Sequence, residues 1–393
     1  MPEPLERDAV LRNILSFAPL AARDPGEAHR ASTQLELFFD LISVIAIASV
    51  TGNLHHAISE GHGLAALPVF AFLFTAIWWA WMNFTWFASA FDNDAPGYRL
   101  LVMTIIAGEL IFAGGAGYIF QTLDFSWGLL GWILMRLGMA SLWLRASACA
   151  THRLTTLRYA AGISVAQGCW VLLYLLAEPA SVTFFVCVAL CFVVEFAVPP
   201  IAESAGATPF HRHHIIERYG LLTIISLGEI MLSISLGFGM LYGGHADMGS
   251  ALTALAALVI VFAVFWIYFC EEEHLPSEAL LTAIVWGYGH VFTFGAIAAL
   301  GAGVAAELDL AGHHGAASQG GVAWWMGGPL AVVFAALWLT RDRHFALGAR
   351  GPALPVMALA ALAAAWSGLS SWGFAAVAVA ALVWRVPMGH GAD

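Results

Sequence analysis

Lysine is absent from this chain: all fifteen basic residues among its 393 are arginine. The arginines are scattered, which reads as a coding bias and excludes the clustered basic footprint of a nucleic-acid-binding surface. Charge of either sign is scarce. Charged residues make up 10% of the chain and hydrophobic ones 61%, with a mean hydropathy of +0.81, whereas a soluble domain carries about 25% charged residues. A soluble globular protein is therefore excluded. The net charge of −11 comes from loop acids such as Glu271, Glu272 and Glu273.

Cysteine is sparse as well. The five, Cys149, Cys169, Cys187, Cys191 and Cys270, fall in or beside apolar runs, without the paired spacing of a disulfide framework or a zinc site. Cys187 and Cys191 share a helix face and read as small buried packing groups. The chain has no phosphate-binding glycine loop, no zinc-protease helix motif and no serine elbow, so no cofactor, metal or nucleophilic enzyme is expected. His211-Arg-His-His214 comes nearest to a metal motif, but an arginine interrupts it and a helix start follows it. A signal peptide is not expected either. The N-terminal stretch AVLRNILSFAPLA is broken by Arg12 and Asn13 and has no small-residue cleavage site behind it. Leu11, Ile14, Leu15 and Ala18 instead mark one face of a short amphipathic helix, expected on the inner membrane surface.

What fills the chain is long apolar runs. Windows of ~20 residues, the length that crosses a bilayer, pick out about twelve candidate spans. They begin near Leu35, Leu64, Leu100, Phe125, Leu157, Val182, Ile215, Gly249, Ala279, Val322, Leu354 and Trp372. The last two are short and divided only by a serine and glycine break, which leaves a single tilted or re-entrant pair open. The polar breaks elsewhere leave no room for a soluble domain. The predicted fold is all-α, a polytopic bundle of transmembrane helices in contact with the lipid bilayer.

Arginine placement sets the expected orientation. Arg7, Arg12, Arg23 and Arg30 precede the first span, Arg99 follows the second, and Arg145, Arg153 and Arg158 follow the fourth. Arg212 follows the sixth, Arg341, Arg343 and Arg350 the tenth, and Arg385 closes the last. All lie on one side if both termini are cytoplasmic, and the alternate loops then hold no arginine. Those loops carry His62, His245, His313 and His314, which read as solvated loop histidines.

The two halves resemble each other in order. Glu36-Leu-Phe-Phe opens the first span and Glu217-Arg-Tyr-Gly the seventh. AIWWAWMNF in the second answers AVFWIYFCE in the eighth, aligning Trp79 with Trp266. Gly108-Glu109 in the third matches Gly289-His290 in the ninth, and ASLWLR in the fourth matches AALWLTR in the tenth, aligning Trp143 with Trp338. The reading is a parallel duplication of two six-span halves related by an axis along the membrane normal, as in several transporter folds. Its boundaries are a cytoplasmic segment over 1–34, a first repeat over 35–200, a connector over 201–213, a second repeat over 214–387 and a tail over 388–393.

Ionisable residues inside spans are expensive and mark function by default. They fall at two levels. Near the midplane lie Glu109, Arg136, Glu229 and His290, and near the cytoplasmic face Glu36, Asp40, Glu195, Glu217 and Arg218. Glu109 and Arg136 have opposite sign and equal depth in neighbouring spans, which predicts a direct pair. Glu36 and Asp40 share a helix face, and two crowded carboxylates need a cation between them or a shared proton; Arg218 is the expected cation. The cytoplasmic group reads either as a static ion network or as a binding surface. Glu109, Glu229 and His290 are expected to relay protons or bind a polar substrate, with Arg136 switching partners; the bland reading has His290 donating to a helix carbonyl. Trp78, Trp79, Trp81 and Asn83 in the second span, with Tyr288 in the ninth, read as packing and interface anchors or as an aromatic lining.

LELFFDLISVIAIASVTGNLHH, HHIIERYGLLTIISLGEIMLSI and WGYGHVFTFGAIAALGAGVAAEL resemble three blocks of the bacterial low temperature requirement A family, a likeness running from about Thr33 to the tenth span. The family's E-x-x-F-D pattern falls on Glu36, Phe39 and Asp40. Its E-R-x-G and G-E patterns fall on Glu217, Arg218, Gly220, Gly228 and Glu229, and its Y-G-H pattern on Tyr288, Gly289 and His290. Ile230 and Met231 stand where the family often has small or serine residues. The resemblance implies a multi-pass protein of a bacterial inner membrane linked to growth in the cold, and it implies no activity.

Two functions fit these residues. One is a secondary transporter or permease-like protein for a small polar solute or ion, with a midplane site. The other is a membrane sensor, or a membrane-embedded enzyme acting on lipid, that uses the cytoplasmic polar residues. The arginine pattern also generates a test. Reporter fusions placed after His62 and after Arg153 should report opposite sides of the membrane, and matching signals would overturn the topology.

Overall fold

No water reaches the backbone inside a bilayer, so an apolar run must close its own hydrogen bonds, and a helix does this within one segment. The computed structural model describes residues 20–386 except 25, 28–29, 180, 243–247, 272–274, 278 and 313–314, with 239–242 described by backbone alone. The expected amphipathic helix around Leu11, the loop residues His245, Glu272, Glu273, His313 and His314, and the tail over 388–393 lie outside the described residues. The helices are α1 (Gln34–Ser59), α2 (Gly63–Ala90), α3 (Pro96–Gly114), α4 (Ala116–Thr122), α5 (Ser126–Ala146), α6 (Arg153–Leu176), α7 (Val182–Glu203), α8 (Arg212–Tyr242), α9 (Met248–Tyr268), α10 (Leu280–Ala311), α11 (Gln319–Thr340), α12 (Ala353–Trp366) and α13 (Ser371–Arg385).

Each expected span start lies within a few residues of a helix start, and among the described residues 11 helical stretches are long and apolar enough to cross a membrane. The C-terminal ambiguity resolves into two helices. α12 and α13 have 14 and 15 residues, and between them Gly368 adopts φ +63°, a left-handed turn that costs glycine no Cβ clash. At 1.5 Å per residue α13 reaches only about 22 Å, short of the ~30 Å hydrocarbon layer.

The chain forms two compact units, one of residues up to Ala46 with Ala76–Arg218, the other of Ile47–Thr75 with residues from Tyr219 on. In the first unit α3, α5, α6 and α7 pack as successive hairpins. The contributed part of α1 buries its polar groups among apolar ones, Phe39, Ile42 and Val44. Glu36, Asp40 and Ser43 are buried along one stripe, while Leu37, Phe38, Leu41 and Ile45 are exposed on the other side, as a helix must be when its surroundings are hydrocarbon. A capping box starts it: Thr33 Oγ1 accepts from Glu36 N at 3.3 Å and Glu36 Oε2 from Thr33 N at 2.7 Å, so two backbone donors are met reciprocally.

α3 and α5 meet backbone to backbone. A Cβ on Gly108 would lie 2.6 Å from the Gly131 carbonyl oxygen, and one on Gly131 would lie 2.5 Å from the Gly108 carbonyl oxygen. Small residues permit such an approach, and membrane helices pack through it.

In the second unit α10, α11, α12 and α13 also pack as successive hairpins, and α9 packs on α13 and α10. The core is built from small and branched side chains, among them Ala257, Val261 and Val264 of α9, Ile297, Leu300 and Val304 of α10, and Ala361 and Ala365 of α12. Among the described residues, α10 is the most enclosed candidate span.

The glycine contact yields a prediction. Gly131→Val should lower the stability of the detergent-purified protein by about 1–3 kcal/mol, the usual cost of overpacking, read from thermal unfolding. Gly114→Ala, where a Cβ meets nothing within 4 Å, should not. Equal stability of the two variants would show that α3 and α5 do not touch.

Candidate functional site

Glu195 of α7 and Arg136 of α5 form an ion pair with both side chains almost fully buried. Trp79 Nε1 and Trp170 Nε1 also donate to Glu195, at 3.0 and 3.2 Å. The guanidinium carbon of Arg136 lies 4.7 Å from the Trp132 ring centre, in cation–π range. Both carboxylate oxygens are thus answered by donors.

The expected Glu109 to Arg136 pair does not form. Their helices are neighbours, as expected, but equal depth is not equal face. Gly108 and Met135 occupy the α3–α5 contact, and the next residue on each helix turns about 100° away from it. Arg136 therefore turns to α7, and Glu109 turns to α1, where Asp40 and Ser43 neighbour it. Glu195 also leaves the cytoplasmic group to which the sequence assigned it and joins Arg136.

At the start of α1 lies a second buried network. Glu36 accepts from Arg30 Nη2 at 3.0 Å, and His214 Nε2 lies 3.3 Å from it. Arg30 also donates to the carbonyls of Ala88 and Ser89, closing the C-terminal end of α2, where carbonyls lack helix partners. Arg218 donates to Asp40 at 2.6 Å and lies 3.6 Å from Glu36, so it is the cation between the two carboxylates, as expected. Trp81 Nε1 donates to the same Asp40 oxygen at 2.6 Å. Trp79 and Trp81, two residues apart and so on opposite sides of α2, serve different carboxylates, and Asn83 donates to the Trp79 carbonyl at 2.8 Å. Trp78 is buried beside them, its indole nitrogen without a hydrogen-bond partner among the described residues. Glu217 is exposed and takes a long 3.5 Å bond from Ser32 N, so it stands outside the network.

Glu109 differs from every other buried acid. It is fully buried, and neither carboxyl oxygen has a hydrogen-bond partner within 3.5 Å among the described residues; the Ser43 hydroxyl is the donor that faces it. Asp40 Oδ2 and Ser43 Oγ, both buried, are likewise unpartnered there.

In the second unit His290 donates from Nδ1 to the Trp286 carbonyl at 2.8 Å inside a ring of Tyr219, Trp286 and Phe294. This is the helix-carbonyl arrangement given above as the bland reading. Glu229 and Tyr288 are half-buried. Two further clusters draw on residues that the sequence marks only as loop residues or not at all. Asp309 accepts from His55 Nε2 at 2.7 Å and from Ser59 Oγ at 2.8 Å. Asp342 binds Arg341 and Arg385, each at 2.6 Å, and Arg385 reaches Glu271 at 2.9 Å, while Arg341 caps the Ile267 and Tyr268 carbonyls at the end of α9. Burial pushes the nearby Cys270 thiol up, away from the reactive thiolate. Among the described residues no group of three or more His, Cys, Asp or Glu is placed to hold a metal.

The family model for the bacterial low temperature requirement A protein (LtrA) matches residues 31–386. This chain belongs to the LtrA family. It is 25% identical over 331 residues to the uncharacterised protein RA0937 of Rhizobium meliloti (strain 1021), covering 78% of this chain and 76% of that one. No solved structure matches. The LtrA patterns separate on the structure: Glu36, Phe39, Asp40 and Arg218 are buried around one network, His290 is enclosed by rings, and Glu217 faces outward.

The saturated pair gives a direct test. Arg136→Met or Glu195→Met alone should destabilise the protein by roughly 3–5 kcal/mol, because each strands a buried charge, and the double variant should recover much of the loss. Thermal unfolding of the four proteins measures the coupling. Additive losses would remove the pair.

Proposed function

We propose that this LtrA protein is a secondary transporter or permease-like protein for a small polar solute or ion, coupled to protons. The observation that carries this reading is Glu109. Glu195 is saturated with donors, whereas Glu109 is buried in a span with no charged partner and only the Ser43 hydroxyl facing it among the described residues. A membrane protein keeps such a group at a stability cost when the group works. Glu109 is the principal titrating residue of this reading. Glu229 and His290 are assigned the same kind of role in the second unit. Arg136 serves as scaffold rather than as a switching partner.

The reading places both termini in the cytoplasm of a bacterial cell, and the site in a duplicated architecture. Supporting the duplication, the order of packing within each unit is the same: third to sixth spans in one, ninth to twelfth in the other. Gly108 packs on α5 and its aligned Gly289 on Thr340 of α11, each meeting the span that follows.

Reconstituted vesicles test the function. With an imposed pH gradient and a panel of small polar solutes, uptake should respond to the gradient, and Glu109→Gln should lower it on the order of 100-fold while Arg136→Met/Glu195→Met retains it. If no solute in the panel moves, the sensor or lipid-enzyme reading takes its place.

A further inference from the structure

Along one stripe of α1, at helical spacing of four and three residues, stand Glu36, Asp40 and Ser43, and Glu109 of α3 neighbours the inner end of that stripe. All four are almost fully buried. The outer member is saturated: Glu36 is held by Arg30, the Thr33 backbone and His214. The inner members are progressively less so. Asp40 has one oxygen bound by Arg218 and Trp81 and the other unpartnered, Ser43 Oγ is unpartnered, and both oxygens of Glu109 are unpartnered among the described residues. This gradient of satisfaction points inward, and the idle atoms are consecutive.

We infer that Asp40, Ser43 and Glu109 form a proton-carrying branch, in which Glu109 stores one proton and exchanges it with the start of α1 through the Ser43 hydroxyl and Asp40. The inference rests on the reading of Glu109 as a working carboxyl. The transfer balances without a co-reactant. Ser43 Oγ accepts the proton of Glu109 as it gives its own to Asp40 Oδ2; Glu109 is left as carboxylate, Asp40 becomes neutral and Ser43 is unchanged.

Hydroxyls suit the middle position because they donate and accept at once. An unpaired carboxylate at this depth is costly, and a bound proton removes its charge. The charged groups around the branch lie at its Asp40 end. Facing Glu109 are Asp40 and Ser43 from α1, while α5 meets this part of α3 through Gly131, Leu134 and Met135, and its nearby Arg136 is taken by Glu195. Facing Asp40 are Arg218 from α8, Trp81 from α2 and, on α1 itself, Glu36.

The test needs no transported solute. Infrared difference spectra of the full chain in lipid nanodiscs, taken between two pH values, should contain a protonated-carboxyl stretch that disappears in Glu109→Gln. On mixing into heavy water that band should shift with a rate that Ser43→Ala slows on the order of 100-fold and Ser43→Thr, which keeps the hydroxyl, restores. Thermal unfolding checks that the Ser43→Ala protein remains folded, and Ser43→Thr separates loss of the hydroxyl from loss of packing. A band unaffected by Glu109→Gln, one that follows sodium rather than pH, or an exchange rate indifferent to Ser43→Ala overturns the branch. The expected spectra with no solute moved in vesicles would instead sink the transport reading alone, and solute uptake with unchanged Ser43→Ala exchange would sink the branch alone.

Discussion

Inside a bilayer a carboxylate must find its hydrogen-bond donors among the helices, and this protein is organised around which of its acids have been given them. The desolvation cost of a buried ion is several kcal/mol, offset only when its lone pairs are met. Glu195 is met by a guanidinium and two indoles, Glu36 by a guanidinium, a backbone amide and an imidazole, and Asp342 by two guanidiniums. These three acids tie helices together that would otherwise associate through dispersion alone, because lipid tails supply no hydrophobic drive between spans. Against that background an acid with idle oxygens stands out by chemistry rather than by position.

The donors reach the acids because of helix geometry, and tryptophan is the main instrument. An indole carries one donor on a large apolar body, so it can lie in hydrocarbon-like packing and still answer a carboxylate. Trp79 and Trp81 do this on opposite sides of α2, and Trp170 adds a third indole from α6. What reads in sequence as an aromatic cluster, and so as a packing belt or a ligand platform, is split by the helical repeat into separate hydrogen-bond donors.

The apolar runs were readable because hydrophobicity over ~20 residues is a one-dimensional signal, and so every span start was legible. So was Arg218 between Glu36 and Asp40, since two carboxylates on one face announce the need for a cation. Partner choice was not. Depth along a span can be counted in sequence, but the face on which Glu109 or Arg136 emerges relative to a neighbour depends on which residues make the helix contact, and the glycines at 108 and 131 set that. Glu217 was misplaced for the same reason: one residue from Arg218, it points outward. Two local signals were available and stronger than they looked. Thr33-Gln-Leu-Glu36 is a capping box in the plain sequence, and it fixes where Glu36 sits. Arg341 and Arg385 follow helix ends, where arginine commonly caps carbonyls, so a buried role beside Asp342 was readable from position.

The same geometry bears on the relation between the two halves. In the third span Gly108 meets the following span and its neighbour Glu109 turns toward the first. In the ninth, Gly289 meets the following span and its neighbour His290 turns to Tyr219 at the start of the seventh. The packing glycine and the angular offset are shared, while the chemistry of the next residue is not: a carboxyl with idle oxygens in one unit, an imidazole bonded to its own helix in the other. The positions that align with Asp40 and Ser43 are Leu221 and Ile224, neither of which can carry a proton. The glycine match at 108 and 289 therefore goes with packing on the following span in each unit, and it does not carry the chemistry of Glu109 with it.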